Sequence, residues 1–208
     1  MMKYQKIMIN GIRILFVAFS IFELFRLEWT NVAVLLAGFV LSFVPELYKK
    51  STQVTIPLGA CLFLDLFLFG SQFLGSYLGA YTYFSWWDVM LHLVSGIMIG
   101  YVGLILLVTL DKEQLLFKNK KIGLIILFIF AIGAAGAVLW EIIEFSGDTF
   151  LGINAQLGSL RDTMEDLICG TIIGGSFAAY VGIVLHKGWN SCVAHLLQIN
   201  EDRAKYKK

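Results

Sequence analysis

Three pairs of ionisable residues stand out in a chain that is otherwise largely apolar: Asp88 with His92, Glu141 with Glu144, and Asp162 with Asp166. Residues three or four apart share one face of an α-helix, so each pair presents two groups in a single direction. Carboxylates with one imidazole form a ligand set for Mn²⁺, Fe²⁺, Zn²⁺ or Mg²⁺, with oxygen-rich sets favouring the harder ions. All six residues are therefore candidate metal ligands. His92, Glu141 and Asp166, the more deeply placed of the six, are the candidates for catalytic work, because ionisable groups inside a membrane are functional by default.

Two of the pairs lie in copies of one pattern. Asp88-Val-Met90-Leu-His92-Leu93-Val-Ser-Gly96-Ile-Met-Ile99-Gly100 and Asp162-Thr-Met164-Glu-Asp166-Leu167-Ile-Cys-Gly170-Thr-Ile-Ile173-Gly174 both fit D-x-M-x-[H/D]-L-x-x-G-x-x-I-G. In each, small residues at a GxxxG interval follow the ionisable pair and allow close approach of helix backbones. Gly133, Ala134 and Gly136 offer the same near Glu141. Five carboxylates and one imidazole in a partly dry layer cannot all carry their charges uncompensated. A bound divalent cation, shared protons, or Arg26 and Arg161 as counter-ions would resolve this. Simpler roles stand beside these. Asp88 and Asp162 each open a helix, where an aspartate caps free backbone N–H groups, and Ser159 can cap the second. Glu165, off the Asp162/Asp166 face, is suited to pairing with Arg161.

Asp65 is separate. It lies among Phe63, Leu64, Leu66 and Phe67, near the middle of an apolar segment, where a lone carboxylate must be protonated or paired. It is the candidate for an ion path, with a structural hydrogen bond as the alternative. No GxSxG, P-loop, HExxH or Gly-rich dinucleotide turn is present. Cys61, Cys169 and Cys192 are scattered and read as packing residues.

The elements that must position these groups are apolar. Of 208 residues, 58% are hydrophobic and 15% charged, and mean hydropathy is +0.78. The expectation is an all-α, polytopic transmembrane bundle of about six helices in one integral membrane domain spanning residues 1–208. The expected spans are residues 7–27, 32–48, 54–78, 86–110, 122–145 and 161–186, followed by a basic tail at 187–208. A net charge of +1 offers nothing to nucleic acid. Of the 16 Lys and Arg, thirteen fall on the side that six spans assign to both termini, and only Arg26 and Arg161 on the other. The positive-inside rule then places both termini in the cytoplasm. Asp88, His92, Glu141, Glu144, Asp162 and Asp166 all come to the outer layer.

Asp88-x-x-x-His92-x-x-x-Gly96, Trp140-Glu141-Ile-Ile-Glu144 and Asp162-Thr163-x-x-Asp166-x-x-x-Gly170-x-x-x-Gly174 together resemble the YjdF-type bacterial inner-membrane proteins. More distantly they are similar to the VanZ-like group, in which Asn tends to stand where this chain has Asp166. The resemblance covers residues 86–175. It implies a multi-pass protein of the bacterial cytoplasmic membrane and, through the VanZ-like group's association with glycopeptide resistance, a role at the cell envelope. The leading expectation is a divalent-metal site at the outer leaflet, with membrane lipid as neighbour and a lipid or envelope precursor as substrate. The alternatives are a non-catalytic accessory protein and an ion-coupled transporter.

Overall fold

A computed structural model describes residues 2–152, 156 and 159–201. The described residues contain helices and connecting turns and no strand. The helices are α1 (Met2–Phe25), α2 (Trp29–Leu41), α3 (Val44–Thr52), α4 (Leu58–Leu68), a π-helical segment (Phe69–Tyr77), α5 (Ala80–Tyr83), α6 (Trp87–Leu110), α7 (Leu115–Lys118), α8 (Ile122–Leu151), α9 (Leu160–Lys187) and α10 (Cys192–Ile199). Six stretches are long and apolar enough to cross a bilayer: Met2–Phe25, Trp29–Thr52, Leu58–Tyr77, Trp87–Leu110, Ile122–Phe150 and Leu160–Lys187. The expected all-helical architecture is therefore present, with different span ends. The basic tail beyond residue 201 lies outside the described residues.

The chain divides into two compact units, residues 1–91 and 92–208. The division falls within the continuous helix α6, after its first turn.

In the first unit, α1 packs against α2 and α4, and α2 packs against the π-helical segment. Its core is Ile12, Phe16, Leu35, Leu68 and Phe73, surrounded by further aromatic rings. Gly38 makes room for Phe16, whose ring would lie 2.6 Å from a Cβ placed there. The second span is broken. Pro45 has no N–H and its ring excludes the carbonyl four residues back, that of Leu41, where α2 ends. Arg13 of α1 covers the break. Its Nε donates to Ser42 Oγ (3.0 Å) and its Nη2 to Ser42 O (2.5 Å) and Glu46 Oε1 (2.7 Å). Its guanidinium lies 3.9 Å from the centre of the Phe43 ring. An arginine inside a span is thus turned to backbone and carboxylate oxygens. The third span starts later than expected because Pro57 precedes it in extended conformation.

In the second unit, α8 packs along α9, and α10 and α7 pack on their ends. Glycines set the spacing. A Cβ at Gly96 would stand 3.0 Å from the Gly170 carbonyl oxygen, and one at Gly100 would stand 2.7 Å from the Phe177 ring. Between α8 and α9, a Cβ at Gly133 would lie 3.5 Å from Gly174 Cα, and one at Gly170 would lie 3.1 Å from Ala137 Cβ. α8 runs beyond its expected end and stops at Gly152, whose φ of 67° suits glycine and whose N–H closes on Asp148 O. Within the stretch expected as a basic tail lies α10, which buries Val193 and Leu196. Gln114 Nε2 donates to Leu197 O at 3.0 Å, tying the α6–α7 loop to α10.

Candidate metal centre

The pairing of glycines dictates which polar groups meet. α6 and α9 run parallel, with Gly96 beside Gly170 and Gly100 beside Phe177. One turn before Gly96 and Gly170 stand His92 and Asp166, so the repeated pattern comes together in register. His92 Nε2 lies 3.7 Å from Asp166 Oδ2. Both residues are buried, His92 at 8% and Asp166 at 2% exposure. Asp88 is one turn before His92 on α6 and is half-buried. One ligand atom from each of Asp88, His92 and Asp166 lies within 4.8 Å of the other two.

Ligands on a tetrahedral ion at about 2.1 Å are about 3.4 Å apart. The His92–Asp166 pair, at 3.7 Å, is close to that spacing. The His92–Asp166 separation exceeds a direct hydrogen bond, which spans about 2.7–3.2 Å.

The other predicted residues are placed differently. Asp162 lies within electrostatic reach of His92. Its backbone N–H also donates to Ser159 Oγ at 3.4 Å, so the expected serine cap is present. Glu141 is 6% exposed. α8 and α9 run antiparallel, with Ala137 facing Gly170, which brings Glu141 to the level of Asp166. Glu141 lines a cavity of about 470 Å³ with Val138, Ile142, Phe145, Gln156, Ser159, Leu160, Thr163 and Leu167. Glu144 Oε1 accepts from Trp140 Nε1 of its own helix at 2.7 Å. Arg161 pairs with Glu165 at 2.6 Å, as its spacing suggested. Arg26 instead pairs in the first unit with Glu23, at 3.1 Å. Asp65 is also in the first unit, 1% exposed.

Two polar constellations escaped the sequence reading. Glu23, fully buried, accepts from Tyr77 Oη (2.9 Å), Asn31 Nδ2 (3.2 Å) and Arg26 Nη1. Gln156 bridges the ends of α8 and α9: its N–H donates to Asp148 Oδ2 (3.0 Å) and its Nε2 to Thr163 Oγ1 (2.9 Å). Glu23 and Arg26 stand three residues apart, but Tyr77 and Asn31, and the Gln156 bridge, are brought together only in three dimensions.

Fold and site together define an all-helical, multi-pass membrane protein with a carboxylate–imidazole cluster on its α6 and α9 spans. The chain belongs to the family described as "Predicted membrane protein (DUF2238)", whose profile matches residues 8–188; this is the YjdF family that its motifs resemble. An uncharacterized protein of Thermotoga maritima is 35% identical over 127 residues, which is 61% of this chain and 63% of the relative. The match thus spans under two thirds of that relative. No solved structure matches.

Proposed function

We propose that the protein holds a divalent metal ion at Asp88, His92 and Asp166, in the outer leaflet of a bacterial cytoplasmic membrane, with both termini in the cytoplasm. The observation that carries this reading is the approach of three ligand atoms, one of each residue, to within 4.8 Å of one another. Buried carboxylates of like charge need a cation, and Mn²⁺, Zn²⁺, Fe²⁺ and Mg²⁺ accept this donor set. Such an ion would polarise a phosphoryl oxygen or activate water. Asp162 adds negative charge near His92, and Glu141, level with Asp166, is the base nearest the α8–α9 cavity. The substrate class is a lipid or cell-envelope precursor, in keeping with an outer-leaflet site and the more distant VanZ-like similarity.

Elemental analysis of the purified protein tests this directly. Near-stoichiometric Mn, Zn or Fe is expected in the wild type, together with loss of that metal in His92→Ala and Asp166→Asn. Mg²⁺ is read instead by equilibrium dialysis. Wild-type protein that takes up none of these ions would overturn the reading.

A second reading has one observation in its favour. His92 and Asp166 join α6 to α9, as a purely structural pin in an accessory protein would. It predicts that His92→Asn and Asp166→Asn lower thermal stability equally with and without added metal. An ion-coupled transporter is the third reading, and it bears on Asp65 in the first unit.

A further inference from the structure

Asp65 is 1% exposed, and neither of its carboxylate oxygens has a hydrogen-bond partner among the described residues. It lies in the span Leu58–Tyr77, about 11 Å from the start of α4. A carboxylate without donors in so apolar a place must take on positive charge or a proton. The charged groups that act on it from packed elements are Arg13 of α1 and Glu46 of α3, and Cys61 stands one turn away on its own helix. Arg13 does not resolve the imbalance, because Glu46 already holds it at 2.7 Å and Ser42 takes its other contacts. One cation and two carboxylates leave one negative charge over.

The surroundings grade from buried to exposed. Phe16, Leu35, Leu68 and Phe73 form the buried core of the unit. Toward Arg13, side-chain exposure rises to 13% at Arg13 and 53% at Glu46. The helix also changes form just past Asp65. The π-helical turns begin at Phe69, whose N–H reaches both Asp65 O and Leu66 O. Such widened turns often accompany functional sites.

We propose that Asp65 is an exchangeable cation site of the first unit, taking a proton or a monovalent metal ion from the side lined by Arg13 and Glu46. The site is distinct from the metal centre on α6 and α9 and shares no residue with it.

The test uses full-length protein in lipid nanodiscs, labelled with carbon-13 at aspartate carboxyls and observed by solid-state NMR. Asp65→Glu removes the Asp65 signal from the labelled set while keeping a carboxyl group, and so assigns it. Asp65→Asn provides the assignment if the longer side chain does not fold. In a buffer whose only cation is a bulky organic amine, the signal is expected to move between its acid and ionised positions as pH rises. That result supports the proton. A shift on adding Na⁺ at fixed alkaline pH supports a metal ion. A signal that stays in place through both titrations overturns the proposal, and Asp65 is then a fixed structural group. His92→Ala leaves both titrations unchanged, so failure here is distinguishable from failure of the metal centre.

Discussion

Gly96 and Gly170 bring α6 and α9 so close that a Cβ at Gly96 would stand 3.0 Å from the Gly170 carbonyl oxygen. One turn away, this contact sets the separation of His92 and Asp166. A methyl group there must push against backbone, which cannot rotate aside. Gly96→Ala is therefore expected to cost about 1–3 kcal/mol through overpacking. It should also weaken metal binding, read by isothermal titration. Gly123 has nothing within 4 Å of its Cβ position, so Gly123→Ala is the control and should leave both unchanged or slightly improved.

Metal binding to the folded state alone must raise thermal stability. At a free metal concentration 100 times Kd, the gain is about 2.7 kcal/mol. Melting curves in detergent with and without Mn²⁺ or Zn²⁺ should show this upward shift for the wild type. The shift should vanish in His92→Ala and Asp166→Asn. Glu144→Gln should keep it, since Glu144 bonds to Trp140.

Arg13 supplies directional donors to the break between α2 and α3, where Ser42 O would otherwise lose its partner. Arg13→Ala is expected to cost about 1.5–3 kcal/mol, the worth of a hydrogen bond to a charged group. Arg13→Lys should rescue little, because an ammonium cannot reproduce the two-pronged contact with Ser42. Equal melting temperatures for Arg13→Lys and wild type would contradict this account.

Glu23 is fully buried and depends on donors from Tyr77, Asn31 and Arg26. Tyr77→Phe removes one donor and is expected to cost about 1–3 kcal/mol. In the double variant with Glu23→Gln the loss should be smaller than the sum of the two single losses, since the residues share one network. A double-mutant cycle by thermal or denaturant unfolding measures this coupling.

The proposed orientation puts Tyr83, which is 77% exposed, on the outside. After the exposed Cys192 is changed to serine, a cysteine at position 83 should react with an impermeant maleimide on intact cells. A cysteine at Asn119 should react only after lysis. The opposite pattern would invert the topology and move the metal centre to the cytoplasmic leaflet.

Much of the architecture was legible because a bilayer permits few solutions. Backbone polar groups have no water to bond with there, so long apolar runs must be helices, and six such runs gave six spans. The register of α6 beside α9 was legible too, because both copies place glycines at the same interval from an ionisable residue. Less legible were the interruptions. Pro45 was visible, but the break it causes depends on Arg13 arriving from α1 to satisfy Ser42. The π-helical turns from Phe69 carried no local signature that separated them from an ordinary span.

The sequence by itself determined that the chain is a multi-span helical membrane protein and that Asp88 and His92 on one helix occupy places equivalent to Asp162 and Asp166 on another. Apolar run length and a repeated spacing are local properties, so a linear reading recovers them. Only the tertiary structure decided which polar groups meet across helices. It placed His92 with Asp166 and Tyr77 with Glu23, and it put Asp65 where no donor among the described residues reaches its oxygens. Such pairings depend on how closely backbones approach and which way each helix face turns, and glycine contacts between distant segments set both.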